Sequence, residues 1–401
     1  MKQKPVILIF NKFYLPGYQA GGPIRTIVNM VDRLGENFEF RVVTSDRDLA
    51  DRNPYPDLTG ETWETVGKAR VHYVAHDKAN IGNLAGLIND TQPALIYLNS
   101  FFDPWFTQKV LIARRLGKIR QVPIILAPRG EFSPGALAIK RLKKKVYIKA
   151  AKLAGIYKGI TWQASSEIER GDIERSLGRL VITPGLVIAQ NLAPPVETAV
   201  SLRTRLKRDD EPLRVCFLSR ISPMKNFDFA LRVLAKVNVP LDFTIYGPKE
   251  DQSYWQTCEA LISALPENIH IRYAGSIHPS SVKEALGQHD LFFLPTRGEN
   301  YGHVIHEALG AGLPVLLSDQ TPWRDVEAQK LGWTLPLDAI TPFVEVLQDC
   351  SVWDSDQWAA ISKRAIEYAN EKASDVMVLD RNREMLMDAI SVVTVANKGE
   401  S

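Results

Sequence analysis

The feature that most constrains the fold of this chain is a repeated alternation of short apolar runs with stretches long enough for helices. Five runs rich in β-branched residues occur in the first half, at residues 6–10, 40–44, 95–98, 124–127 and 160–164. Five more follow in the second half, at residues 215–219, 243–247, 269–275, 291–295 and 315–318. Strands that alternate with helical crossovers pair in parallel, so the pattern predicts two α/β domains with parallel sheets.

The boundary between the two predicted domains falls where apolar residues become scarce. The chain has 401 residues, two to three times a typical domain, and Pro194 and Pro195 precede a charged cluster at residues 203–211. We therefore expect an N-terminal domain over residues 1–195, a linker over 196–213 and a C-terminal domain over 214–372. Residues 373–401 are expected to form a final helix.

Composition and charge exclude several classes of protein. The net charge of +3 predicts no nucleic-acid partner, and no apolar run is long enough for a membrane-spanning helix or a signal peptide. Cys216, Cys258 and Cys350 lie far apart, which fits a reducing compartment and argues against a disulfide frame or a zinc site. We expect a folded cytoplasmic protein.

One basic segment stands out against this balanced charge. It begins at Lys140 and ends at Lys152 (KRLKKKVYIKAAK), with seven basic residues in thirteen. Apolar residues recur there at roughly helical spacing, namely Ile139, Leu142, Val146 and Leu153. The pattern predicts a basic amphipathic helix, for which two interpretations stay open. Its apolar face covers the N-terminal sheet, or it docks on anionic lipid head groups or a phosphate-bearing acceptor, where each lysine contributes about 1 kcal/mol.

The strongest functional signal lies in residues 291–319, which read as strand, glycine-containing loop, helix and strand (LFFLPTRGENYGHVIHEALGAGLPVLLSD). Glu299 falls in the loop, and Glu307 follows eight positions later in the helix. Gly302 permits a ligand to approach the backbone closely. The amides at the start of the helix, strengthened by the helix dipole, form a natural site for a diphosphate.

A second motif supplies positive charge for such a ligand. Arg220 and Lys225 follow the strand predicted over residues 215–219, close to a helix expected to begin around Asn226. A planar guanidinium and a compact ammonium can hold one diphosphate between them.

Together these motifs resemble retaining glycosyltransferase family 4, also called glycosyl transferases group 1. Arg220-x4-Lys225 precedes Glu299-x7-Glu307, and the phrases SRISPMKN, IYGP, YAGSI and LPTRGENYGHVIHEALGAGLPVLLSD occur in the family's order. The resemblance is continuous over residues 214–337. In the N-terminal half it rests on Tyr14-Leu-Pro-Gly, on Gly21-Gly22-Pro23 and on the sheet pattern.

The resemblance implies the GT-B fold, in which two Rossmann-like parallel-sheet domains face an interdomain cleft. The N-terminal domain would bind the acceptor and the C-terminal domain the nucleotide-sugar donor, with the final helix crossing back to the first domain. Arg220 and Lys225 would hold the nucleotide diphosphate, and Glu307 would accept hydrogen bonds from the ribose hydroxyls. Glu299 would contact hydroxyls of the transferred sugar and is the catalytic candidate.

Further donor contacts follow from the same resemblance. The amides of Asn300, Tyr301 and Gly302 would complete a cradle for sugar and phosphate. Gly21 and Gly22 would approach the phosphates from the opposite domain, where a side chain would hold the loop away.

On the acceptor side the chain departs from the family. Many relatives place a histidine near the reacting carbon, whereas the residues after the strand at 124–127 are Pro128-Arg129-Gly130-Glu131. Arg129 and Glu131 are therefore the acceptor-side candidates, by position alone.

Other motifs point to different chemistry but do not fit it. Asp46 and Asp48 match the D-x-D pair of metal-dependent transferases, a triplet expected by chance among 46 acidic residues. His303, His306 and Glu307 give H-x-x-H-E, which is neither zinc-peptidase order. No G-x-G-x-x-G follows the first strand and no Walker loop occurs, so we expect no metal and no cofactor beyond the donor substrate.

The sequence thus predicts a metal-independent retaining glycosyltransferase of polysaccharide biosynthesis. It would move a sugar from a nucleoside diphosphate to a hydroxyl of a glycan or lipid-linked glycan, in the cytoplasm and at the inner face of a membrane. Two alternatives stay open: a nucleotide-sugar epimerase of the same fold, and a non-catalytic subunit that binds sugar nucleotides.

Overall fold

The computed structural model describes residues 3–49, 51–56, 58, 62–178, 185–195 and 211–398. The chain divides into two compact units. Unit 1 comprises residues 1–195 and 375–401, and unit 2 comprises residues 196–374. Most of the linker predicted over residues 196–213 lies outside the described residues.

Unit 1 is built on a sheet whose described strands are β1 (Val6–Phe10), β2 (Glu39–Ser45), β3 (Trp63–Val66), β4 (Ala69–Val74), β5 (Leu95–Asn99), β6 (Ile124–Ala127), β7 (Thr161–Ala164) and β8 (Gly185–Ile188). Their order across the sheet is β3-β4-β2-β1-β5-β6-β7-β8. The edge strand β3 pairs antiparallel with β4, and the other neighbours pair in parallel.

The helices of unit 1 cover both faces of this sheet. They are α1 (Gly22–Leu34), α2 (Ile81–Thr91), α3 (Gln108–Arg115), α4 (Pro134–Ala138), α5 (Arg141–Leu153), α6 (Glu167–Leu177) and α13 (Val376–Lys398). Successive side chains of a strand point to opposite faces. Accordingly Ile7 and Ile9 pack in one core with α1 and α13, while Leu8 and Phe10 pack in the other with α2, α3, α5 and α6.

The final helix α13 belongs to unit 1, although it follows unit 2 in the chain. Asn382 Nδ2 donates to the Gln190 carbonyl at 2.8 Å, and Arg381 Nε donates to the Ile188 carbonyl at 3.2 Å. Met385 and Leu386 are buried in the core beside α1. These contacts fasten the end of the chain to strand β8 and the residues that follow it.

Unit 2 is built on a sheet whose described strands are β9 (Leu213–Leu218), β10 (Leu241–Tyr246), β11 (Ile269–Gly275), β12 (Leu291–Leu294), β13 (Val315–Ser318) and β14 (Gly332–Leu335). They pair in parallel in the order β11-β10-β9-β12-β13-β14. The helices are α7 (Phe227–Leu234), α8 (Gln252–Ser263), α9 (Val282–Gly287), α10 (His303–Gly310), α11 (Thr341–Ser351) and α12 (Ser355–Ala373), with a short 3₁₀ turn at Pro279–Ser281.

A buried ion pair joins two central strands of unit 2. Arg214, at the start of β9, donates to both carboxylate oxygens of Asp290, with Nη2 to Oδ1 at 2.7 Å and Nε to Oδ2 at 3.0 Å. The Arg214 amide also donates to Asp290 Oδ2 at 2.9 Å, and the Asp290 amide donates to the Arg214 carbonyl at 2.7 Å. Because each charge is buried, neither residue can be removed without leaving an uncompensated partner.

The basic helix predicted from residue 140 is present as α5. The interpretation in which its apolar face covers the N-terminal sheet is wrong. Leu142, Val146 and Leu153 are 78%, 60% and 92% exposed, so they do not cover the sheet. Ile148 and Ala151 are the buried contacts instead. None of the helices in the described ranges is both long and apolar enough to cross a membrane.

Candidate functional site

The two motifs of the C-terminal half meet at the carboxyl end of the sheet in unit 2. The loops after β9 and β12 are joined by several hydrogen bonds. Asn226 Nδ2 donates to the Pro295 carbonyl at 2.9 Å, and the Arg297 amide donates to the Met224 carbonyl at 2.8 Å. Arg297 Nε also donates to Asn226 Oδ1 at 3.0 Å. The loop of the cationic motif is therefore fixed against the loop of the glutamate motif.

Lys225 and Glu299 form an ion pair across these two loops, with Lys225 Nζ donating to Glu299 Oε1. Both side chains are only 12% exposed. The Glu299 amide donates to the Gln320 carbonyl at 3.1 Å, which ties this loop to the residues after β13. Low exposure strengthens the field of both charges, because little water screens them. The two motifs therefore form one site.

Arg220 lies in the same loop as Lys225 but has a different partner. Its Nη1 donates to Glu250 Oε1 at 2.6 Å, and the two side chains are 34% and 32% exposed. Glu250 follows β10, the neighbour of β9 in the sheet. This residue was not among those singled out in the sequence, because a lone glutamate two residues after IYGP carries no spacing signal.

Gly247 is required where the loops after β9 and β10 converge. Its φ is 131°, and a Cβ on it would lie 1.9 Å from the Ser219 carbonyl oxygen. The Ile221 amide donates to the Pro248 carbonyl at 2.9 Å just beyond. This close contact brings the Glu250 loop beside the Arg220 loop, so the glycine of IYGP shapes the site without touching a ligand.

Helix α10 follows the loop after β12, and Gly302 is its N-cap residue. Gly302 has φ 79° and ψ 59°, and a Cβ there would lie 2.7 Å from Ile305 Cδ1. Backbone conformation and packing thus explain this glycine, in addition to the ligand approach expected from the sequence. No side chain of the described residues caps the start of α10. The positive end of the helix dipole is consequently offered to an anion.

Tyr301 supports the loop through its side chain and backbone. Its ring is buried and packs edge-on against Trp323 at 5.7 Å between centroids, and Trp323 Nε1 donates to the Tyr301 carbonyl. Asn300 precedes it and Glu307 lies in the second turn of α10, both half-buried. The contacts that the resemblance gives these three residues with sugar, phosphate and ribose remain predictions.

The histidines beside this loop serve the core. His306 is buried, its Nε2 lies 3.0 Å from the Ala369 carbonyl, and burial lowers its pKa. His303 packs against the Tyr301 ring. In the part of the chain that the structure describes, no group of three histidine, cysteine or carboxylate side chains is placed to hold a metal ion.

Asp48, from the D-x-D triplet, organises the loop that leads to the N-terminal glycine pair. Its Oδ2 accepts hydrogen bonds from the amides of Tyr18 at 2.8 Å and Gln19 at 3.0 Å. Asp46 pairs with the neighbouring Arg47 at 2.7 Å. Both carboxylates therefore have intramolecular partners in unit 1.

Gly21 and Gly22 differ in why they are glycine. Gly21 caps α1 with φ 68°, a conformation that favours glycine. Gly22 has no positive φ, and no described atom lies within 4 Å of a Cβ built on it. Neither the backbone nor the packing of the described residues requires glycine at position 22.

Arg129 lies after β6, as expected, but its side chain is held within unit 1. Its guanidinium donates to Asn99 Oδ1 at 3.1 Å, to the Tyr97 hydroxyl at 2.7 Å and to Asn191 Oδ1. Its φ of 57° is in the left-handed region. The residue fixes the ends of two neighbouring strands, and contact with an acceptor stays a prediction.

The Glu131 side chain is likewise held by hydrogen bonds within unit 1. Its carboxylate accepts hydrogen bonds from Ser100 Oγ at 2.6 Å and from the amides of Phe101 at 2.5 Å and Phe102 at 3.2 Å. Burial raises the pKa of Glu131 to about 7. It shapes the loop after β5, and for this residue too an acceptor contact stays a prediction.

Comparison with known proteins finds similarity over part of the C-terminal half. Residues 201–344 match the model of the family "Glycosyl transferases group 1". A GDP-mannose-dependent alpha-mannosyltransferase of Mycobacterium tuberculosis is 30% identical over 152 residues, which cover 38% of this chain and 37% of that protein. The alignment thus spans little more than a third of the relative's length.

Solved structures resemble the whole fold. HepE of Anabaena, solved in complex with UDP-glucose, has a TM-score of 0.69 at 17% identity, with 96% of this chain and 100% of that chain covered. Sucrose-phosphate synthase of Thermosynechococcus elongatus also has a TM-score of 0.69, at 13% identity, with 97% and 100% covered. At such identities the likeness concerns the fold. The predicted GT-B class with two Rossmann-like parallel-sheet domains is confirmed.

Proposed function

We propose that this chain is a member of the glycosyl transferases group 1, whose model matches residues 201–344, and that it transfers a sugar from a nucleoside diphosphate to a hydroxyl of a glycan or lipid-linked glycan. The proposal rests on the ion pair between Lys225 and Glu299, beside the start of α10, which no described side chain caps. A diphosphate needs a cation and backbone amides as donors, and a sugar attached to it needs a carboxylate within reach of its hydroxyls. Transfer with retention of anomeric configuration, in polysaccharide biosynthesis, is part of the same proposal.

The chemistry follows from where charge develops. As the sugar leaves the nucleotide, negative charge grows on the departing diphosphate. Donors fixed in advance at that position stabilise the transition state without having to reorganise. Arg220 and Lys225 supply two positive charges, and the first amides of α10 supply a third positive pole. We propose that these groups, rather than a metal ion, perform this task.

Glu299 would act on the sugar side of the same site. The Lys225 ammonium neutralises its carboxylate in the structure. A diphosphate that takes a share of Lys225 leaves one oxygen of Glu299 able to accept hydrogen bonds from sugar hydroxyls. The coupling means that diphosphate binding and sugar placement depend on each other, which is why we name Glu299 as the catalytic residue.

A thermal-shift screen across nucleoside diphosphates and their sugars tests the donor assignment. A ligand present at 100 times its Kd stabilises the folded protein by about 2.7 kcal/mol, which gives a clear shift. Arg220→Ala should weaken binding severely at unchanged stability, while Lys236→Ala, a matched loss of charge at an exposed position of unit 2, should not. Normal donor binding by Arg220→Ala would contradict the clamp assignment.

Product analysis distinguishes transfer from the alternatives. With donor alone, a transferase yields nucleoside diphosphate and free sugar slowly, whereas an epimerase yields a new nucleotide sugar. Glu299→Ala should abolish this turnover and keep nucleotide binding. Turnover that persists in Glu299→Ala, or an epimerised product, rules the proposal out, and donor binding without any turnover by the wild type indicates a non-catalytic subunit.

We further propose peripheral contact with an anionic membrane, at its cytoplasmic face. The basis is the exposed apolar face of α5, formed by Leu142, Val146 and Leu153, on a helix that also carries the basic run. Surface helices with such a composition bind membranes by inserting the apolar face and attracting anionic head groups.

Vesicle sedimentation tests this contact. Leu142→Gln, Val146→Gln and Leu153→Gln together should reduce association with phosphatidylglycerol-containing vesicles by about tenfold or more, since each buried side chain contributes roughly 1.5 kcal/mol. Leu116→Gln with Val352→Gln, exposed apolar positions outside α5, is the control. Unchanged association of the α5 variant, or equal binding to phosphatidylcholine alone, would count against the proposal.

A further inference from the structure

A cavity of about 710 Å³ lies in unit 1 between α4, α5 and the end of α6. Cationic side chains dominate its lining: Arg141, Lys144, Lys145, Lys149, Lys152 and Arg175. None of the described residues that line it is acidic. The volume falls within the range typical of small-molecule sites. A cavity of this size and charge is suited to a polyanion.

Two of these cations hydrogen-bond to the helices that flank α5. Lys144 Nζ donates to the Ala136 carbonyl of α4 at 2.8 Å, and Lys152 Nζ donates to the Ser176 carbonyl of α6 at 2.8 Å. Helix α5 is thereby fastened to both of its neighbours. These two contacts fix the positions of the walls of the cavity, which is partly open to solvent.

Three other cations have no such partner. Arg141, Lys145 and Lys149 are exposed and make no hydrogen bond or ion pair with any residue in the described ranges. They are spaced four apart, so they share one face of α5 and repel one another along it. Repulsion of this kind destabilises a helix unless an anion offsets it.

The nearest carboxylates do not offset this charge. Asp172 is buried and pairs with Arg175 at the edge of the cavity. Glu131, whose charge acts on Lys144, is already engaged by Ser100 and two backbone amides. The stripe formed by Arg141, Lys145 and Lys149 therefore keeps its positive charge. Guanidinium and ammonium groups together are the usual ligands of phosphate.

An exposed apolar face lies directly beside this cationic stripe. Leu142 and Val146 each follow a stripe cation by one residue, which is about 100° around an α-helix. Leu153 shares their face, seven positions after Val146. An elongated molecule with its anionic end in the cavity would therefore have its apolar part against α5 or in the adjoining lipid.

We propose that the cavity binds the diphosphate group of an amphiphilic acceptor, a lipid diphosphate whose apolar chain runs along the face of Leu142, Val146 and Leu153. The inference rests on the proposed transfer to a lipid-linked glycan and names the chemical class of that acceptor. Three unpartnered cations match the several negative charges of a diphosphate ester better than the single charge of an ordinary phospholipid. The apolar face distinguishes a lipid from a free polyphosphate.

Titration calorimetry on the full chain tests the inference with farnesyl diphosphate, farnesol and inorganic pyrophosphate as probes. Arg141→Gln, Lys145→Gln and Lys149→Gln together should weaken farnesyl diphosphate binding at least about tenfold, because each lost charged hydrogen bond has an effect of this order. The control combines Arg115→Gln, Lys118→Gln and Arg120→Gln, an equal loss of exposed charge elsewhere in unit 1. It should bind normally, and Lys145→Arg with Lys149→Arg should retain binding.

Several results would overturn the inference. Farnesyl diphosphate binding that survives the cavity variant, or that the control loses equally, shows that the cavity is not the site. Loss of binding in Arg220→Ala places the probe at the donor site instead. Equal affinity for farnesol removes the role of the diphosphate, and equal affinity for pyrophosphate removes that of the lipid.

The donor side provides an independent readout. The cavity variant should keep the full thermal shift with nucleoside diphosphates, because Arg220 and Lys225 lie in unit 2. If no nucleotide shifts the wild type, the proposed transfer fails while the farnesyl diphosphate result stands by itself. If nucleotides bind and farnesyl diphosphate does not, the cavity inference fails alone.

Discussion

Replacing Glu250 by glutamine should tighten the binding of a nucleoside diphosphate. Arg220 Nη1 donates to Glu250 Oε1 at 2.6 Å. A diphosphate held by Arg220 must share this donor with the carboxylate or displace it. Glutamine keeps the size of the side chain and removes its charge, so Arg220 is released from an ionic competitor.

The magnitude follows from the exposure of the pair. Its side chains are 34% and 32% exposed, and ion pairs this accessible contribute roughly 0.2–1 kcal/mol. Removing the competitor should thus lower the Kd about 1.4- to 5-fold. Arg220→Ala acts in the opposite direction and more strongly, because one charge-assisted hydrogen bond of roughly 1.5–3 kcal/mol corresponds to about 10- to 150-fold.

Calorimetric titration with UDP and with GDP measures the change. Glu267→Gln provides the same change of charge at an exposed position of unit 2, without a hydrogen bond to a described residue. It therefore reports the long-range field alone. If Glu250→Gln weakens binding, Glu250 contacts the ligand directly, and if it matches Glu267→Gln, it does not compete for Arg220. Either result refutes the reasoning.

Three further predictions concern other parts of the molecule. Gly22→Ala should leave the melting temperature unchanged or slightly higher, since the Cβ enters open space, yet reduce donor turnover if phosphates approach there. Asp290→Ala should cost unit 2 about 3–5 kcal/mol by stranding the buried Arg214, seen as faster hydrogen exchange of unit 2, and Arg214→Met with Asp290→Leu should restore most of it. Burial raises the pKa of Glu131 from 4.5 to about 7, so the folded state holds its proton more tightly. Stability should fall as pH rises from about 4.5 to 7, and urea unfolding of Glu131→Gln should lack that contribution.

Most of the strands that the sequence predicts are largely buried, and the exposed edge strand β11 is an exception. All ten predicted runs coincide with strands of the structure to within a residue or two. The four strands that were missed are β3, β4, β8 and β14. The strands β3 and β4 lie at one edge of their sheet and carry polar residues such as Glu64 and Arg70, so they lack a continuous apolar run, whereas β8 (GLVI) is apolar but short and only half-buried.

The approach of Lys225 to Glu299 was predictable because both follow parallel strands, whose carboxyl ends meet at one edge of the sheet. The pairing of Arg220 with Glu250 was not. It depends on β10 lying next to β9, an order that apolar runs alone do not reveal. It also depends on Gly247, whose close contact with Ser219 is a property of the assembled backbone.

For α5 the sequence predicts the helix but not its orientation. Amphipathic spacing shows that Leu142, Val146 and Leu153 share a face, yet it cannot show whether that face meets the core. In the structure the shorter contact surface of Ile148 and Ala151 packs inward. The apolar stripe is therefore exposed and available for the membrane contact and the lipid binding proposed for this helix.

The two groups of cations differ in a way that fits their proposed ligands. Arg220 and Lys225 each have a carboxylate partner, whereas the cationic stripe of α5 has none in the described residues. A carboxylate that is paired with a cation competes with a diphosphate for that cation. It therefore weakens diphosphate binding, and it pairs with the cation again when the ligand leaves. A donor site must release a nucleoside diphosphate in every turnover, so binding that is too tight gains nothing in rate. The stripe of α5 has no such carboxylate among the described residues. The same chemical group would thus compete with a carboxylate in unit 2 and meet no such competitor in unit 1.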